Sequence, residues 1–545
     1  MAADSLTAVS SPSANNISIQ TKDNMENTNS VAPWPGSQEM PRWNSGELED
    51  APRFTLKNWA ALLGPGLLMS GASIGAGEWL LGPAVTARFG GALLWVTTLS
   101  IVAQVFYNIE ISRYTLYCGE PIMNGKFRTL PGPAFWLWFY LLLDIGALLP
   151  YQIQNVATTV AAVWLGRIPN PMDASDASML KWLTYVMLIV SLIPLLFGGK
   201  IYNSLKAVVS VKIVFVLGFL VFLGLFFTSA QTWIELFTGF FKFGNVPSPD
   251  AVDGTGVKNI FTALWRGEGW PTLDAEALPL LTSFAAIAGV GGMAQTSISN
   301  YTRDQGWGMG AKVGAIPSII GGRDLQLSHS GMVFEVNEES LPRWRRWMKH
   351  IRRDQLALWM PAAFIGLALP GMLSVEFLPR GTVANNWVLA GMTADGVMNR
   401  VGGALGSFCW YMILLCGFLA LLPNSTTNAD GFMRRWVDVS WSSTKWMRKI
   451  DPGKIGQLYF GILIAYFVVA VIFLSIASPR WLIVVYSNVG SLALGFSCFH
   501  ALYVNLALLP KEIKPGWGMR IGLFLAGCFF VGLAVLTLLI SMKWI

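Results

Sequence analysis

Apolar stretches of about 20 residues recur from residue 58 to the end of the chain, and they constrain the fold more than any other feature. A helix of this length crosses a hydrocarbon layer of roughly 30 Å. Only 13% of the residues are charged, whereas ordinary soluble domains carry about 25%. The sequence therefore excludes a soluble domain and predicts an all-α integral membrane protein.

The apolar pattern predicts eleven transmembrane helices. We place them at 58–88, 91–115, 133–165, 179–198, 203–228, 279–301, 354–374, 403–427, 456–477, 482–508 and 520–541. Residues 1–57 are rich in Ser, Asn and Pro and have no apolar core region. They predict a disordered cytoplasmic tail and not a signal peptide.

The order of these segments predicts two repeats of five helices and one extra helix. The predicted units are a first repeat at 58–228, an extracytoplasmic loop at 229–278, a second repeat at 279–508 and an eleventh helix with the C-terminus at 520–545. The second repeat includes a basic cytoplasmic loop at 302–353.

Basic residues cluster in the short loops between apolar segments, which explains the formal charge of +7 without nucleic acid. The positive-inside rule then predicts a cytoplasmic N-terminus, and we expect the cell membrane to be the location. In the 302–353 loop, LPRWRRWMKHIRR is either an amphipathic helix on an anionic leaflet or a solvated orientation loop.

Two of the apolar segments have glycine clusters at their centres. The first reads LLMSGASIGAGEWLL and the sixth reads AAIAGVGGMAQTSIS. The polar or ligand-bearing residues beside these glycines are Glu78, Met293, Gln295 and Thr296. Glycine lowers helix stability by about 1 kcal/mol relative to alanine, and a break frees carbonyls that hydrocarbon cannot solvate.

A cation or a polar solute would satisfy these freed groups. The pattern therefore predicts an inverted five-plus-five repeat with discontinuous helices 1 and 6 at a binding site. The alternative is that the glycines only permit close packing of helices.

Two further charges lie in apolar segments. Lys212 is about ten residues into the fifth segment, and Asp144 lies in the third. An ionisable group in a membrane usually faces a cavity or a partner, so Glu78 and Asp144 are candidate partners of Lys212. Its ammonium would then neutralise Glu78 or replace a coupling cation. The alternative is that Lys212 snorkels to the cytoplasmic surface.

The stretch GPGLLMSGASIGAGEWLLGPAVTARFGGALLW resembles the first span of the Nramp family of divalent-metal transporters, and LALLPNSTTNADGFMRRW resembles a polar stretch of its eighth span. The family's D-P-G-N motif falls on Gly75, Ala76, Gly77 and Glu78. Its M-P-H motif falls on Met293, Ala294 and Gln295. The resemblance is strong over the first two spans and weaker beyond them.

The resemblance implies a remodelled metal site. Carried over by position, Glu78 and Met293 are candidate side-chain ligands for a metal, and Gly75 is not. The carbonyls of Ala72 and Val290 are candidate main-chain ligands. The family's coupling histidine and third-span acids fall on Gln295, Tyr151 and Gln154, which argues against proton coupling, although Asp144 remains nearby.

A carboxylate beside freed carbonyls suits a hard cation such as Mg²⁺ or Mn²⁺. We therefore expect a secondary transporter of a divalent cation of the Mg, Mn or Fe type, without a resident cofactor. The alternatives are a transporter of a small organic solute on the same fold and a non-transporting receptor or scaffold. The expected partners are the cargo and the lipid bilayer, and the sequence indicates neither an enzyme nor a nucleic-acid binder.

Overall fold

The computed structural model describes residues 32–55, 64–75, 77–196, 201–251, 255–316, 327–383, 386–451, 454–476 and 479–542. The first ten α-helices are α1 Pro65–Ala72, α2 Gly82–Phe89, α3 Trp95–Cys118, α4 Ile122–Arg128, α5 Pro133–Leu143, α6 Ile153–Leu165, α7 Ala174–Leu192, α8 Ile201–Phe227, α9 Ala230–Gly239 and α10 Ile260–Trp265.

The other ten are α11 Leu278–Ile287, α12 Ser297–Asp304, α13 Gly310–Val313, α14 Ser340–Asp354, α15 Met360–Phe377, α16 Asn386–Val401, α17 Gly403–Ser443, α18 Ile455–Ile476, α19 Pro479–Leu508 and α20 Trp517–Ser541. Tight 3₁₀ turns cover Gly90–Leu93, Ile145–Leu148, Ile193–Leu196, Met293–Thr296, Met447–Lys449 and Lys511–Ile513. Wider π turns cover Gly77–Leu81 and Gln355–Trp359.

Four short strands form two small sheets. β1 Asn44–Ser45 pairs in parallel with β4 Met332–Val333, and β2 Asn245–Pro247 pairs antiparallel with β3 Val257–Asn259. The architecture is otherwise helical.

Within the described ranges, seven helices are long and apolar enough to cross a membrane, and nine segments qualify when two bent pairs each count as one. The second bent pair, Pro133–Leu143 with Ile145–Leu165, turns by 54° at the site of the predicted third span. The all-α membrane architecture is thus present, while the count of eleven helices stays a prediction.

Both predicted helix breaks lie where the glycine clusters are. α1 ends at Ala72, the chain is non-helical at residues 73–75, and a π turn then leads into α2. We call residues 73–75 the first break; Ala76 lies outside the described residues.

The second break, residues 288–292, separates α11 from the 3₁₀ turn that precedes α12. Gly289, Gly291 and Gly292 have φ values of 91°, 69° and 57°. These left-handed values favour glycine, because a Cβ atom would clash with the main chain. The glycine cluster therefore creates the break instead of only permitting close packing.

Residues 32–55 pack against the helical body, so the prediction of a disordered tail over 1–57 is wrong for this part. Trp43 is 1% exposed, and the Arg128 guanidinium lies 4.9 Å from the centre of its ring. Burial of such a large aromatic side chain offsets the entropy lost when the segment is ordered. Residues 1–31 lie outside the described part of the chain.

Basic residues of α14 and of the connection after α17 contact residues 32–55. Arg343 donates to the carbonyl of Leu48, Arg346 pairs with Asp50, and Arg448 donates to the carbonyl of Glu39. The loop residue Glu120 pairs with Arg128. Burial would raise the pKa of Glu120, but the charge and hydrogen bonds of Arg128, together with a hydrogen bond from Tyr114, hold that pKa below its ordinary value.

The predicted amphipathic segment forms α14, but its apolar face does not meet lipid. Trp344 and Trp347 are buried in the protein, and Trp347 donates to the carbonyl of Glu49. α14 also continues through a π turn into α15 as one long helix. It is therefore an extension of a membrane helix and not a separate helix on the leaflet.

A buried charge network joins α12 to α17. Arg303 lies 2.6 Å from Asp438 and 2.8 Å from Asp304. Arg434 lies 2.6 Å from Asp430 and also pairs with Asp304. The side chains of these five residues are at most 3% exposed, so each charge depends on its partners.

Candidate functional site

The carboxylate of Glu78 connects the two breaks. Oε2 accepts a hydrogen bond from the main-chain N–H of Gly75 at 3.0 Å, and Oε1 accepts one from that of Gly289 at 2.8 Å. Glu78 is 1% exposed. The sequence predicted both breaks and an acid beside one of them, and the geometry brings that acid into contact with both.

The side-chain amide of Gln104, in the middle of α3, hydrogen-bonds to several main-chain groups of the second break. Its Oε1 accepts from the N–H groups of Val290 at 3.2 Å and Gly291 at 3.4 Å. Its Nε2 donates to the carbonyl of Ala288 at 2.7 Å. Gln104 was not among the predicted site residues, although a polar amide inside an apolar segment was the signal that could have found it.

We predict that Gln104→Met lowers the free energy of unfolding by about 1–3 kcal/mol for each main-chain group that loses its partner. The measurement is the thermal unfolding midpoint of the purified protein in detergent. Gln154→Met is the matched control, because Gln154 is also buried and its Oε1 has no donor among the described residues. Equal midpoints for the two variants would contradict the assigned role of Gln104.

Lys212 contacts carbonyl groups and not an acid. Its Nζ lies 2.7 Å from the carbonyl oxygen of Gly71 and 2.7 Å from that of Ala420. None of the ion pairs within 4.0 Å in the described part of the chain includes Lys212. It is 0% exposed, so snorkelling does not describe it. No direct contact with Glu78 or Asp144 is present among the described residues, and neutralisation of Glu78 over a longer distance stays a prediction.

Asp144 is instead paired with α17. Both of its oxygens lie 3.0 Å from Arg435 Nη2, and Oδ2 also accepts from the Trp436 indole at 2.9 Å. The pair is buried and anchors the bend of the third span to α17. Asp144 therefore does not lie beside Lys212 as a charge partner.

The residues after the second break are buried, and some of their polar groups already form hydrogen bonds with neighbouring residues. Thr296 donates its hydroxyl to the carbonyl of Met293 at 2.6 Å. Gln295 donates through Nε2 to Asn108 at 2.5 Å, while Oε1 has no donor among the described residues. Met293 is 3% exposed. Gln295 thus offers one amide oxygen, and the hydroxyl hydrogen of Thr296 is already used.

Asn424 of α17 lies against the first break and was not among the predicted site residues. A Cβ atom on Gly75 would lie 2.3 Å from Asn424 Nδ2, so only glycine permits this approach. Within the described chain, Asn424 Oδ1 has no donor. It is a second neutral oxygen near the breaks, and its polar position in an apolar helix was the missed signal.

The two proposed main-chain ligands, Ala72 and Val290, lie at the breaks. Ala72 is the last residue of α1 and is 3% exposed, and Val290 lies within the second break, where its N–H bonds to Gln104. Their carbonyls as cargo ligands stay a prediction.

A small cavity opens beside the second break. Its polar lining comes from Tyr151, Gln152, Ser425, Asn428 and Tyr486, and Ala294 also borders it. It has room for about one water molecule. A cavity of this size can hold a monatomic ion, but in the described conformation it has no room for an organic solute.

The chemistry of the site rests on one carboxylate and several neutral groups. In the described residues, no group of three or more His, Cys, Asp or Glu side chains is arranged to hold a metal. A cation here would be held by Glu78, amide oxygens, carbonyls and the Met293 thioether. Such a mainly oxygen set suits Mg²⁺ or Mn²⁺ that keeps water ligands.

The fold is similar to those of solved membrane transporters. The structure of a manganese transporter from Eremococcus coleocola, in complex with an aromatic bis-isothiourea compound, aligns with a TM-score of 0.59 and 13% identity. The alignment covers 91% of this chain and 89% of that one. A histidine-to-alanine mutant of that transporter aligns over the same shares, with a TM-score of 0.58 and 13% identity.

A third structure, of the nucleobase-cation-symport-1 family transporter Mhp1, aligns at 10% identity over 89% of this chain and 92% of that one. Its TM-score of 0.45 is too low to carry an argument. No protein-family model and no curated protein matches the sequence.

The alignments show that this chain has the fold of solved membrane transporters, and at 13% identity they show the fold alone. They confirm the predicted all-α architecture with discontinuous helices. The relation to Nramp-type transporters holds at the level of fold.

Proposed function

We propose that the chain transports a divalent metal cation of the Mg, Mn or Fe type by alternating access between the predicted repeats at 58–228 and 279–508. The carrying observation is the Glu78 carboxylate, which lies between the two breaks and bonds to both. Each oxygen accepts one N–H in these bonds and keeps a further lone pair for a cation.

Neutral oxygens beside the two breaks support a cation as cargo. The amide oxygens of Gln295 and Asn424 have no donors among the described residues, and both residues are at most 5% exposed. Buried acceptors without donors are rare, and a hard cation satisfies such oxygens. We assign Glu78 and Met293 as side-chain ligands, with Gly75, Thr296 and the carbonyls of Ala72 and Val290 shaping the site.

We propose that transport proceeds without the proton coupling that is usual in the Nramp family. The reason is the identity of the residues at the positions that carry this coupling in the family. Gln295 stands where a histidine would titrate, and an amide does not exchange protons in this way. Both oxygens of Asp144 are already occupied by Arg435 and Trp436. We further propose the cell membrane as the location, with the face that carries residues 32–55 in the cytoplasm.

Lys212 supports a second candidate, a small organic solute. Its buried ammonium adds a positive charge to the same core as Glu78, which weakens the attraction for a divalent ion. Binding of such a solute would require the cavity beside Ala294 to open.

Flux into proteoliposomes tests the proposal. We expect saturable uptake of Mn²⁺ that excess Mg²⁺ inhibits, without acidification of the lumen reported by an internal pH dye. Empty liposomes are the control. Absence of Mn²⁺, Mg²⁺ and Fe²⁺ uptake, together with stabilisation by an organic solute in a thermal-shift panel, would replace the first candidate with the second.

A further inference from the structure

The chain between α8 and α11 carries large apolar side chains on its outside. α9 and the turn after it expose Ile234, Phe237 and Phe241, which have the spacing of one helix face. α10 exposes Phe261 and Trp265 in the same way. Phe241 is 73% exposed and Trp265 is 92% exposed. We call residues 230–251 and 255–265 the loop module.

The two helices of the loop module form one unit. The N–H of Ile260 donates to the carbonyl of Gly244 at 2.9 Å, and the Asn259 amide donates to the carbonyl of Phe243 at 2.9 Å. The ring of Phe261 contacts Gly244, where a Cβ atom would lie only 2.5 Å from it. Exposed apolar side chains of α9 and α10 therefore lie on one compact unit, and clustered apolar surface of this kind marks an interaction site.

The loop module lies at the depth of the ends of the membrane helices. The Trp233 indole donates to the carbonyl of Gly224, in the last turn of α8, at 3.0 Å. The hydroxyl of Thr98, in the first turn of α3, donates to the carbonyl of Phe240 at 2.8 Å. The next residue of α3, Leu99, is exposed. α9 therefore lies beside the last turn of one apolar helix and the first turn of another, where hydrocarbon meets the lipid headgroups.

Polar contacts join the loop module to the corner between α2 and α3. The carboxylate of Glu235 accepts from the N–H of Gly91 at 3.0 Å, and the Trp95 indole donates to the carbonyl of Asn245 at 2.8 Å. This corner follows α2, the helix that continues the chain after the first break. The loop module contacts the start of α3, whereas residues 32–55 contact its end.

We propose that the loop module is an interfacial anchor, whose apolar side chains insert into the lipid leaflet opposite residues 32–55. Lipid is the occupant, because these side chains continue the lipid-facing surface of α3 and α8 at the same depth. Aromatic side chains on short amphipathic helices favour this interface. The anchor holds the corner between α2 and α3 at a fixed depth in the membrane. The inference depends on the transporter fold and not on which cargo is carried.

Fluorescent probes at single cysteines test the insertion. Phe241→Cys, Trp265→Cys and Glu276→Cys are made in a Cys528→Ser background, because Cys528 is the exposed native cysteine in the described part of the chain. Glu276 is exposed between the loop module and α11 and is the control. Each variant is labelled with NBD and placed in nanodiscs that hold one copy.

We expect lipids with a nitroxide near the headgroup to quench NBD at positions 241 and 265. Aqueous iodide is expected to quench it there several-fold less than at position 276. Equal iodide quenching at the three positions would overturn the proposal. Shielding from iodide that is present only in nanodiscs with two copies would also overturn it, since a second copy would then cover the surface.

Hydrogen exchange tests the anchoring role. We expect Phe241→Ser/Trp265→Ser to speed amide exchange several-fold in residues 82–94 of the protein in nanodiscs. Trp164→Ser/Met172→Ser is the matched control, because it removes two exposed apolar side chains outside the loop module. An unchanged exchange rate, or an equal rise in the control, would contradict the anchoring role. Neither experiment needs a divalent cargo, so failure of the metal proposal leaves both intact.

Discussion

Replacing Glu78 by Gln is expected to lower divalent-cation uptake by about 10- to 100-fold while the protein remains folded. The substitution keeps the volume of the side chain but removes its charge. A hydrogen bond or ligand contact to a charged group contributes about 1.5–3 kcal/mol, and each 1.4 kcal/mol corresponds to a factor of ten. The new amide NH₂ would also face one of the two N–H groups that now donate to Glu78.

Initial rates of Mn²⁺ uptake, normalised to the amount of reconstituted protein, measure this effect. Glu49→Gln is the control for loss of a carboxylate, because Glu49 is exposed and its carboxylate pairs with Lys312 at the protein surface. Glu78→Asp keeps the charge on a shorter chain and is expected to retain more activity than Glu78→Gln. Uptake by Glu78→Gln at the wild-type rate would remove Glu78 from the cargo site.

Arg434→Met is expected to cause the largest loss of stability, about 3–5 kcal/mol. Arg434 is fully buried between Asp304 and Asp430. Removing the guanidinium leaves two buried carboxylates whose negative charge is less well compensated. In the variant, Arg303 still pairs with Asp304, and Tyr459 still donates to Asp430. Arg434→Lys is not expected to restore stability, because an ammonium lacks the planar fork that reaches both acids.

The yield of monodisperse protein and its thermal midpoint in detergent measure this loss. Arg345→Met is the matched control, since Arg345 lies on the exposed face of α14. A midpoint for Arg434→Met close to that of Arg345→Met would mean that the network between α12 and α17 contributes little to stability.

Much of the fold could be predicted because its signals are local. The length of an apolar stretch determines whether a helix crosses the membrane, and clustered glycines mark where that helix is interrupted. Glu78 follows the first cluster directly, so its proximity to a break was readable from the sequence.

The partners of the buried groups could not be predicted, because they depend on which helices pack together. Gln104 reaches Gly291 across 187 positions of sequence, and Lys212 reaches Ala420 across 208. The expectation that an ammonium finds a carboxylate was physically reasonable. The direct contacts of Lys212 are instead two carbonyls, because the packing of α8 against α1 and α17 brings those of Gly71 and Ala420 within 2.7 Å.

Residues 32–55 were wrongly predicted to be disordered, because the segment is polar overall and contains only a few buried apolar side chains. Trp43 and Met40 are at most 1% exposed, but they follow no helical or strand period. The surface that buries Trp43 comes from distant helices, with Tyr114 and Tyr117 of α3 and Arg128 of α4. Hydrophobic periodicity therefore does not predict that this segment is ordered.

Anomalous diffraction from crystals soaked in Mn²⁺ tests the central claim most directly, namely that the cargo binds where the two breaks meet. We expect anomalous density about 2 Å from a carboxylate oxygen of Glu78, within reach of Met293 or the Gln295 amide oxygen. Density found only at other positions, or no density at Mn²⁺ concentrations that saturate uptake, would contradict it.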